Sequence, residues 1–292
     1  MKKNDLKQQI GINALLIVLA LLFLLPFAMI VSISLSDEID IVYHGGYRLI
    51  PLNITLSSYR QIFNSSNGSD ILQSYKVTAA FTVITMVFSV LLMSLLAYPL
   101  SRKAFKGRKQ INFLLYFTML FSGGLVPVYI LNTQYLRLGD TIWIYILPAL
   151  INPWYVFMMR TFFSQLPEEI HESAIMDGAN EFYFLFKMML PLSKPVLAAV
   201  ALFTFLGKWN DWFTSMLYID DQRLISLQYL LQRIMNNIKV VKESGSQTGR
   251  VTGDSETMRM AMAVIVAGPA LLVFPFFQKY FVRGLTVGSV KG

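Results

Sequence analysis

Long apolar runs, several close to 20 residues, decide what this chain can fold into. Such a run is enough to cross a bilayer core of roughly 30 Å as an α-helix. We place six of them, at Ile12–Ile33, Val77–Leu100, Ile111–Leu131, Ile142–Met159, Val196–Ile219 and Met260–Val282. Inside lipid every backbone polar group needs an internal partner, so a spanning segment is a helix or part of a closed barrel. The runs are continuous rather than alternating, which excludes a barrel. Only 14% of the 292 residues are charged and 55% are hydrophobic, too little charge to cover a soluble domain of this size. The expected fold class is an all-α polytopic membrane protein with six transmembrane helices.

The formal charge of +8 does not point to nucleic acid. Its basic residues gather beside the apolar runs, where anionic lipid and the insertion machinery account for them. Lys2, Lys3 and Lys7 precede the first run; Arg102, Lys103, Lys106, Arg108 and Lys109 follow the second; Lys279, Arg283 and Lys291 mark the end. The positive-inside rule puts these segments, and so both termini, in the cytoplasm. The first run is too long for the core of a signal peptide and has no A-x-A site after it, so it reads as an uncleaved span. By parity the links 35–76 and 220–259 lie outside. The first is rich in Asn, Ser and Gly and reads as loop. The second holds an amphipathic piece, with Leu227, Leu230, Leu231, Ile234 and Ile238 at helical spacing, then a flexible tract from Glu243 to Asp254. Breakers interrupt several runs: Gly123, Gly124 and Pro127, then Pro148 and Pro153, then Pro269 and Pro275. They read either as ordinary membrane-helix prolines or as hinges of a pathway.

One inner link stands out. From Glu168 to Pro195 the chain reads EEIHESAIMDGANEFYFLFKMMLPLSKP. Pro167 suits the first turn of a helix. Glu168, Glu169 and Glu172 follow where the helix dipole favours negative charge. Gly178 can take the left-handed conformation that ends a helix, and Asn180-Glu181 can start another. The prediction is a short helix–turn–helix on the inner face. Taken alone, the pattern fits an amphipathic link resting at the interface equally well.

The spacing of Glu172, Ser173, Ala174 and Gly178, followed after nine residues by Met188-Met189-Leu190-Pro191, resembles the "EAA" signature of permease subunits of bacterial ABC importers. Ser173 stands where the second Ala is usual, and Met188 where Ile is usual. The last residues, Gly284-Leu285-Thr286-Val287-Gly288-Ser289-Val290-Lys291-Gly292, look like the end of the MalG-like subunits of carbohydrate importers. The run Trp209-Asn210-Asp211-Trp212, preceded by Lys208, is also similar to a run in those subunits. Within them the order of features is most like the LplC/YtcP type of Gram-positive bacteria.

The resemblance implies a type I ABC importer permease in the bacterial plasma membrane, with 77–282 as its core. Residues 1–34 would be the tail and first span, 167–195 the cytoplasmic coupling helices and 283–292 a cytoplasmic tail. Glu172, Ser173, Ala174, Gly178, Leu190 and Pro191 would couple to an ATPase. Gly284, Leu285, Thr286, Gly288, Val290 and Lys291 would be a second ATPase contact. Partners would be a homologous permease, two ATPase subunits, an extracytoplasmic solute-binding protein and membrane lipid, with no nucleic acid. Trp209, Asn210, Asp211 and Trp212 are candidates for lining the sugar pathway, since ring faces stack on sugar and amide or carboxylate groups bond hydroxyls. They read equally as an interfacial aromatic belt with a Lys208–Asp211 pair.

No G-x-x-x-x-G-K-[ST] phosphate cradle, no H-E-x-x-H and no cysteine occur. The chain is therefore expected to bind no cofactor or metal and to be no enzyme, ATP and Mg being used by the partner. His44 and His171 are expected to be solvated loop residues. Three other readings remain: a membrane scaffold or sensor with no transport, an ABC importer permease for amino acids or peptides, and a secondary transporter driven by an ion gradient. The last would need an intramembrane relay, for which Asp211 is the candidate.

Overall fold

The computed structural model describes residues 3–37, 41, 48–64, 68–243 and 256–288. Among them the regular secondary structure is helical, with one isolated antiparallel bridge, Ser36 with Ile54. Contacts divide it into two units, Met1–Ile71 with Leu231–Pro269, and Leu72–Leu230 with Ala270–Gly292.

In the first unit α1 (Lys3–Ser34) carries the first apolar run. The most apolar stretch of this helix has no buried residue, so its Leu, Ile and Phe side chains face outward, as lipid-facing residues do. Beyond its end the chain is pinned back: Thr55 N–H donates to Leu35 O at 2.8 Å, and Ser34 Oγ lies 2.8 Å from Tyr59 Oη. Tyr59 belongs to α2 (Ser57–Asn64), whose Ser58 hydroxyl donates to Thr257 Oγ1 at 2.9 Å. The link 35–76 is thus not loop throughout. It contains α2, and its last residues are already part of α3 (Gly68–Ser101). Gly68 and Ser69 have loop-like composition, yet they open a helix, because Asp70 in the first turn of α3 favours the helix dipole.

In the second unit α3 is the spine. Val77 and Phe81 pack with Ile144, Tyr145, Ile146, Ile219 and Ile225; the Phe81 and Tyr145 rings stack with centroids 4.2 Å apart. Further along, Met93, Ala97, Tyr98 and Leu100 enter a second core. Between them runs a buried face of small hydroxyl residues, Thr78, Thr82, Thr85, Ser89 and Ser94, which lets other backbone come close. Thr78 Oγ1 accepts from Leu227 N–H at 2.9 Å, and the Ser89 hydroxyl donates to Ala149 O at 3.1 Å.

The middle apolar runs are broken, and each break has a cause. The third run is α4 (Arg108–Leu120) and α5 (Leu125–Ile130), the latter continued by a widened turn to Tyr135 in which Leu136 N–H donates to Leu131 O. The two halves meet at 114°, across Gly124 at φ +84°, a value that glycine adopts without strain. The fourth is α6 (Trp143–Ile146) and α7 (Pro153–Phe163), the second half begun by Pro153 and capped by Asn152, whose Oδ1 accepts from Trp154 N–H at 3.0 Å. Short helices α8 (Glu168–Met176), α9 (Glu181–Phe184) and α10 (Leu190–Leu192) lead to α11 (Lys194–Trp209), which stops short of the expected Ile219 and is followed by α12 (Phe213–Tyr218). Then come α13 (Leu227–Glu243), the expected amphipathic piece, and α14 (Glu256–Gly288). Helix α14 passes through Pro269 and Pro275 without a break, so those two act as ordinary membrane-helix prolines. Among the described residues three helices are long and apolar enough to cross a bilayer unbroken, in α1, α3 and α14; the bent pairs Arg108–Leu120 with Leu125–Tyr135, and Glu181–Leu192 with Lys194–Trp209, add up to two more if each is one span.

Candidate functional site

Helix α8 begins just after Pro167, which is extended at ψ 134° and stands outside the first turn rather than in it. Glu168 and Glu169 occupy that first turn. The helix ends in two bonds, Gly178 N–H to Ile175 O and Ala179 N–H to Ala174 O, both 2.9 Å, with Gly178 at φ +87°. This is the Schellman closure that a glycine after a helix permits. Asn180 then caps the next helix, its Oδ1 accepting from Tyr183 N–H at 2.8 Å. The turn is therefore closed by hydrogen bonds on both sides, and the helix pair is stiff. A widened turn comes next, in which Leu190 N–H donates to Leu185 O, and an 80° bend at Ser193 leads into α11.

The motif residues divide by role. Ala174 is buried, in the core with Phe163, Leu185 and Val200, and so fixes how closely α8 approaches the spans. Glu172, Ser173, Gly178 and Pro191 are exposed, and Leu190 is half-buried. Between α8 and the segment from Asn180 to Met188 lies an open groove of about 720 Å³, lined among others by Ile170, Ser173, Ala174, Gly178, Tyr183 and Met188. The turn thus brings Ser173, Ala174, Gly178 and Met188 to one concavity, while Glu172 lies outside it. Exposed Ile175, Met176, Phe182 and Tyr183 add apolar area on the same helix pair. A rigid, partly apolar, concave surface of this kind suits a docked protein better than a small polar ligand.

Behind this element lies a polar cluster that sequence reasoning missed. His171 is no solvated loop residue: it lies on α8, its side chain is 19% exposed, and its Nε2 is 3.2 Å from Glu181 Oε1. His44 lies outside the described residues. Glu181 also accepts from the Tyr98 hydroxyl at the end of α3. Arg102 sits over the rings of Tyr98 and Phe184, at 5.2 and 5.1 Å. Burial pushes the Glu181 carboxyl up, but bonds from Tyr98 and His171 and the charges of His171 and Arg102 outweigh it, holding the group below the ordinary carboxylate value. The nearest sequence signal is Tyr98 and Arg102 one turn apart; the partner, 83 residues on from Tyr98, leaves no local trace.

The four candidate pathway residues fall at the break between α11 and α12, and they separate. Trp209 is 3% exposed, stacked on Phe205 and edge-on to Tyr75. Asp211 accepts from Lys208 Nζ at 2.7 Å and from the Thr214 N–H and hydroxyl at 3.0 and 2.9 Å, so it closes an ion pair and caps α12. Asn210 is exposed, with Gln228 Nε2 donating to its Oδ1 at 2.9 Å, and Trp212 is 37% exposed. Of the tail residues, Gly284, Leu285, Thr286 and Gly288 continue α14 as helix; Val290 and Lys291 lie outside the described residues, as does the tract from Ser244 to Ser255. Among the described residues no cluster of His, Cys, Asp or Glu is arranged to hold a metal.

The chain is similar to known proteins. The chain is 36% identical over 269 residues to Protein LplC of Bacillus subtilis (strain 168), covering 92% of this chain and 90% of that protein. It is 37% identical to the polygalacturonan/rhamnogalacturonan transport system permease protein YtcP of the same organism, covering 96% and 97%. Among solved structures, a crystal structure of a bacterial ABC transporter involved in the import of the acidic polysaccharide alginate has a chain that superposes with a TM-score of 0.79 at 30% identity, covering 96% of this chain and 99% of that one. This is the type I ABC importer permease fold, and the several apolar helices make the protein multi-pass in the inner membrane. Residues 105–287, which include the groove, His171 with Glu181, and most of α14, match the family of binding-protein-dependent transport system inner membrane components, and the chain belongs to that family.

Proposed function

We propose that this chain is one of two homologous permease subunits of a carbohydrate importer, moving an oligosaccharide inward on the ATP turnover of separate ATPase subunits. The observation that carries the reading is the hydrogen-bonded helix pair α8–α9, whose groove gathers Ser173, Ala174, Gly178 and Met188. A stiff element with a concave, partly apolar face is suited to being gripped and displaced. The sugar assignment draws support from the names of relatives that match over nine-tenths of the chain or more, polygalacturonan/rhamnogalacturonan for one and arabinooligosaccharides for another.

In this proposal each broken apolar run makes one crossing, giving six spans with both termini and α8–α9 in the cytoplasm. One ATPase copy grips α8–α9 and the other grips the partner permease. ATP closure draws the two coupling elements together and opens the cavity outward; hydrolysis resets it. The ATPase holds ATP and Mg, and this chain carries out no covalent chemistry. Residues from Gly284 onward, with Val290 and Lys291, make a second ATPase contact. A solute-binding protein delivers sugar to 35–76 and 220–259. Of the pathway candidates, Trp212 and Asn210 keep surface free for sugar, whereas Trp209 and Asp211 are taken up by packing and capping.

The ion-coupled alternative loses its candidate relay, because Asp211 is already satisfied by Lys208 and Thr214. The test is reconstitution of this chain with its neighbouring permease, ATPase and binding protein in liposomes, with a panel of acidic and neutral oligosaccharides, amino acids and peptides. Uptake and ATP turnover should both rise with a sugar-loaded binding protein. Uptake by this chain without ATPase, driven by an ion gradient, would overturn the assignment, and stimulation by amino acids or peptides alone would move it to the other importer class.

A further inference from the structure

The carboxylate of Glu181, at the first position of α9, is met from two other helices. The Tyr98 hydroxyl of α3 donates to Oε2, and His171 Nε2 of α8 lies 3.2 Å from Oε1. Phe184, one turn further along α9, makes a T-shaped contact with His171 at 4.9 Å between ring centres and meets the guanidinium of Arg102, just past the end of α3, at 5.1 Å. Five side chains from three parts of the fold therefore close one node. None of them lines the groove under Gly178, although the Glu181 side chain is itself 58% exposed.

The same helices also touch through apolar contacts, Ala97 and Leu100 lying in one core with Ala174, Phe184 and Leu185. Apolar burial holds surfaces together but is non-directional, and packed helices can slide by an ångström or two at little cost. A hydrogen bond to a carboxylate is directional and charge-assisted, so it resists that sliding. We propose that Glu181 is a positioning residue, locking the helix pair α8–α9 to the end of α3 through Tyr98 and His171. Displacement of the pair then reaches the spans as rigid-body motion and is not lost as slip. The inference rests on the coupling role proposed above and adds the residues that transmit the force. The joint stays closed throughout the cycle. Arg102 stiffens it from the α3 side by bracing the Tyr98 and Phe184 rings.

The experiment uses the whole complex in liposomes, measuring sugar taken up per ATP hydrolysed, with and without loaded binding protein. Tyr98→Phe removes one hydroxyl and leaves the ring beneath Arg102. It should assemble and keep basal ATP turnover, while sugar moved per ATP falls about fivefold or more, the scale of ordinary coupling between sites. Adding Glu181→Ala to Tyr98→Phe should cost no more than Glu181→Ala alone, as expected of groups acting through one contact. The chain has no cysteine, so Y98C/E181C can be bridged by a short bifunctional thiol reagent. Bridging should restore the uptake ratio that the unbridged pair lacks, a gain that a merely structural role does not predict. A stimulated wild-type complex whose Tyr98→Phe variant transports normally overturns the joint and spares the importer reading. Efficient bridging without recovery overturns the joint as well. A wild-type complex whose ATP turnover ignores the binding protein overturns both.

Discussion

At the scale of single residues, Gly178 and Ala174 do opposite things within four positions of each other. Gly178 is needed for its backbone: at φ +87° any other L-residue is strained, yet a Cβ placed there meets no atom within 4 Å. Gly178→Ala should therefore cost only the strain, about 1–2 kcal/mol, read as a fall of a few degrees in the melting temperature of the purified chain. Gly178→Pro cannot hold that φ and loses the bond to Ile175 O. It should insert into the membrane yet abolish stimulation of the ATPase by loaded binding protein, and wild-type stimulation would count against the coupling role. Ala174 is needed for its smallness: Ala174→Leu overfills a packed core at about 1–3 kcal/mol and lifts α8 away from the spans. Glu181 makes a prediction in pH. Its folded carboxyl lies below the ordinary value through its bonds to Tyr98 and His171 and the nearby Arg102, despite the upward push of burial. The ionised form is thus preferred when the node is closed. The node's contribution is complete above the ordinary glutamate value of about 4.3 and is lost as pH falls through the lowered one. Melting curves from neutral to strongly acid pH should show this loss in the wild type, and Glu181→Gln should remove that component.

At the scale of elements, α12 gives a discriminating variant. Asp211 accepts from the Thr214 N–H at its cap and pairs with Lys208. Asp211→Asn keeps an oxygen for the cap and loses the charge, so transport should survive with modest loss; Asp211→Ala should cost about 1 kcal/mol of stability. A proton or ion relay through this residue would fail in both, and abolished uptake in a stable Asp211→Asn complex would revive the ion-coupled reading. These elements also differ in how far they could be read from residues alone. The turn between α8 and α9 was legible because its determinants are local: a glycine, an Asn cap and prolines at fixed offsets. The ends of α1, α3 and α14 were legible to within a few residues on the apolar side because hydropathy sets them. The breaks inside the middle runs were half legible. Gly124 and Pro153 mark them, but the same kind of residue at Pro269 leaves α14 unbroken. What decides is whether neighbouring chain satisfies the freed backbone groups, a tertiary fact. The extension of α3 back to Gly68 and the node at Glu181 were not legible, the first because loop-like composition hid a helix start with Asp70 in its first turn, the second because its members are brought together only by folding.

At the scale of the whole molecule, the orientation in the membrane underlies every functional role assigned to the chain, and it rests on the distribution of Lys and Arg. The lack of cysteine makes it directly testable, since a single introduced thiol is the only one in the chain. Ser173 and Phe63 are exposed and belong to the two sides that the charge rule separates. In intact cells a membrane-impermeant maleimide should label Phe63→Cys in α2 and leave Ser173→Cys in α8 unlabelled; after permeabilisation both should react. With the ATPase assembled, labelling of Ser173→Cys in opened membranes should slow, because that position lines the groove a docked subunit would cover. Labelling of Ser173→Cys from outside, at the rate of Phe63→Cys, would place α8–α9 on the wrong side of the bilayer for any nucleotide-driven partner. Equal rates with and without the ATPase would show instead that the element is cytoplasmic but not gripped, which separates an error of topology from an error of mechanism.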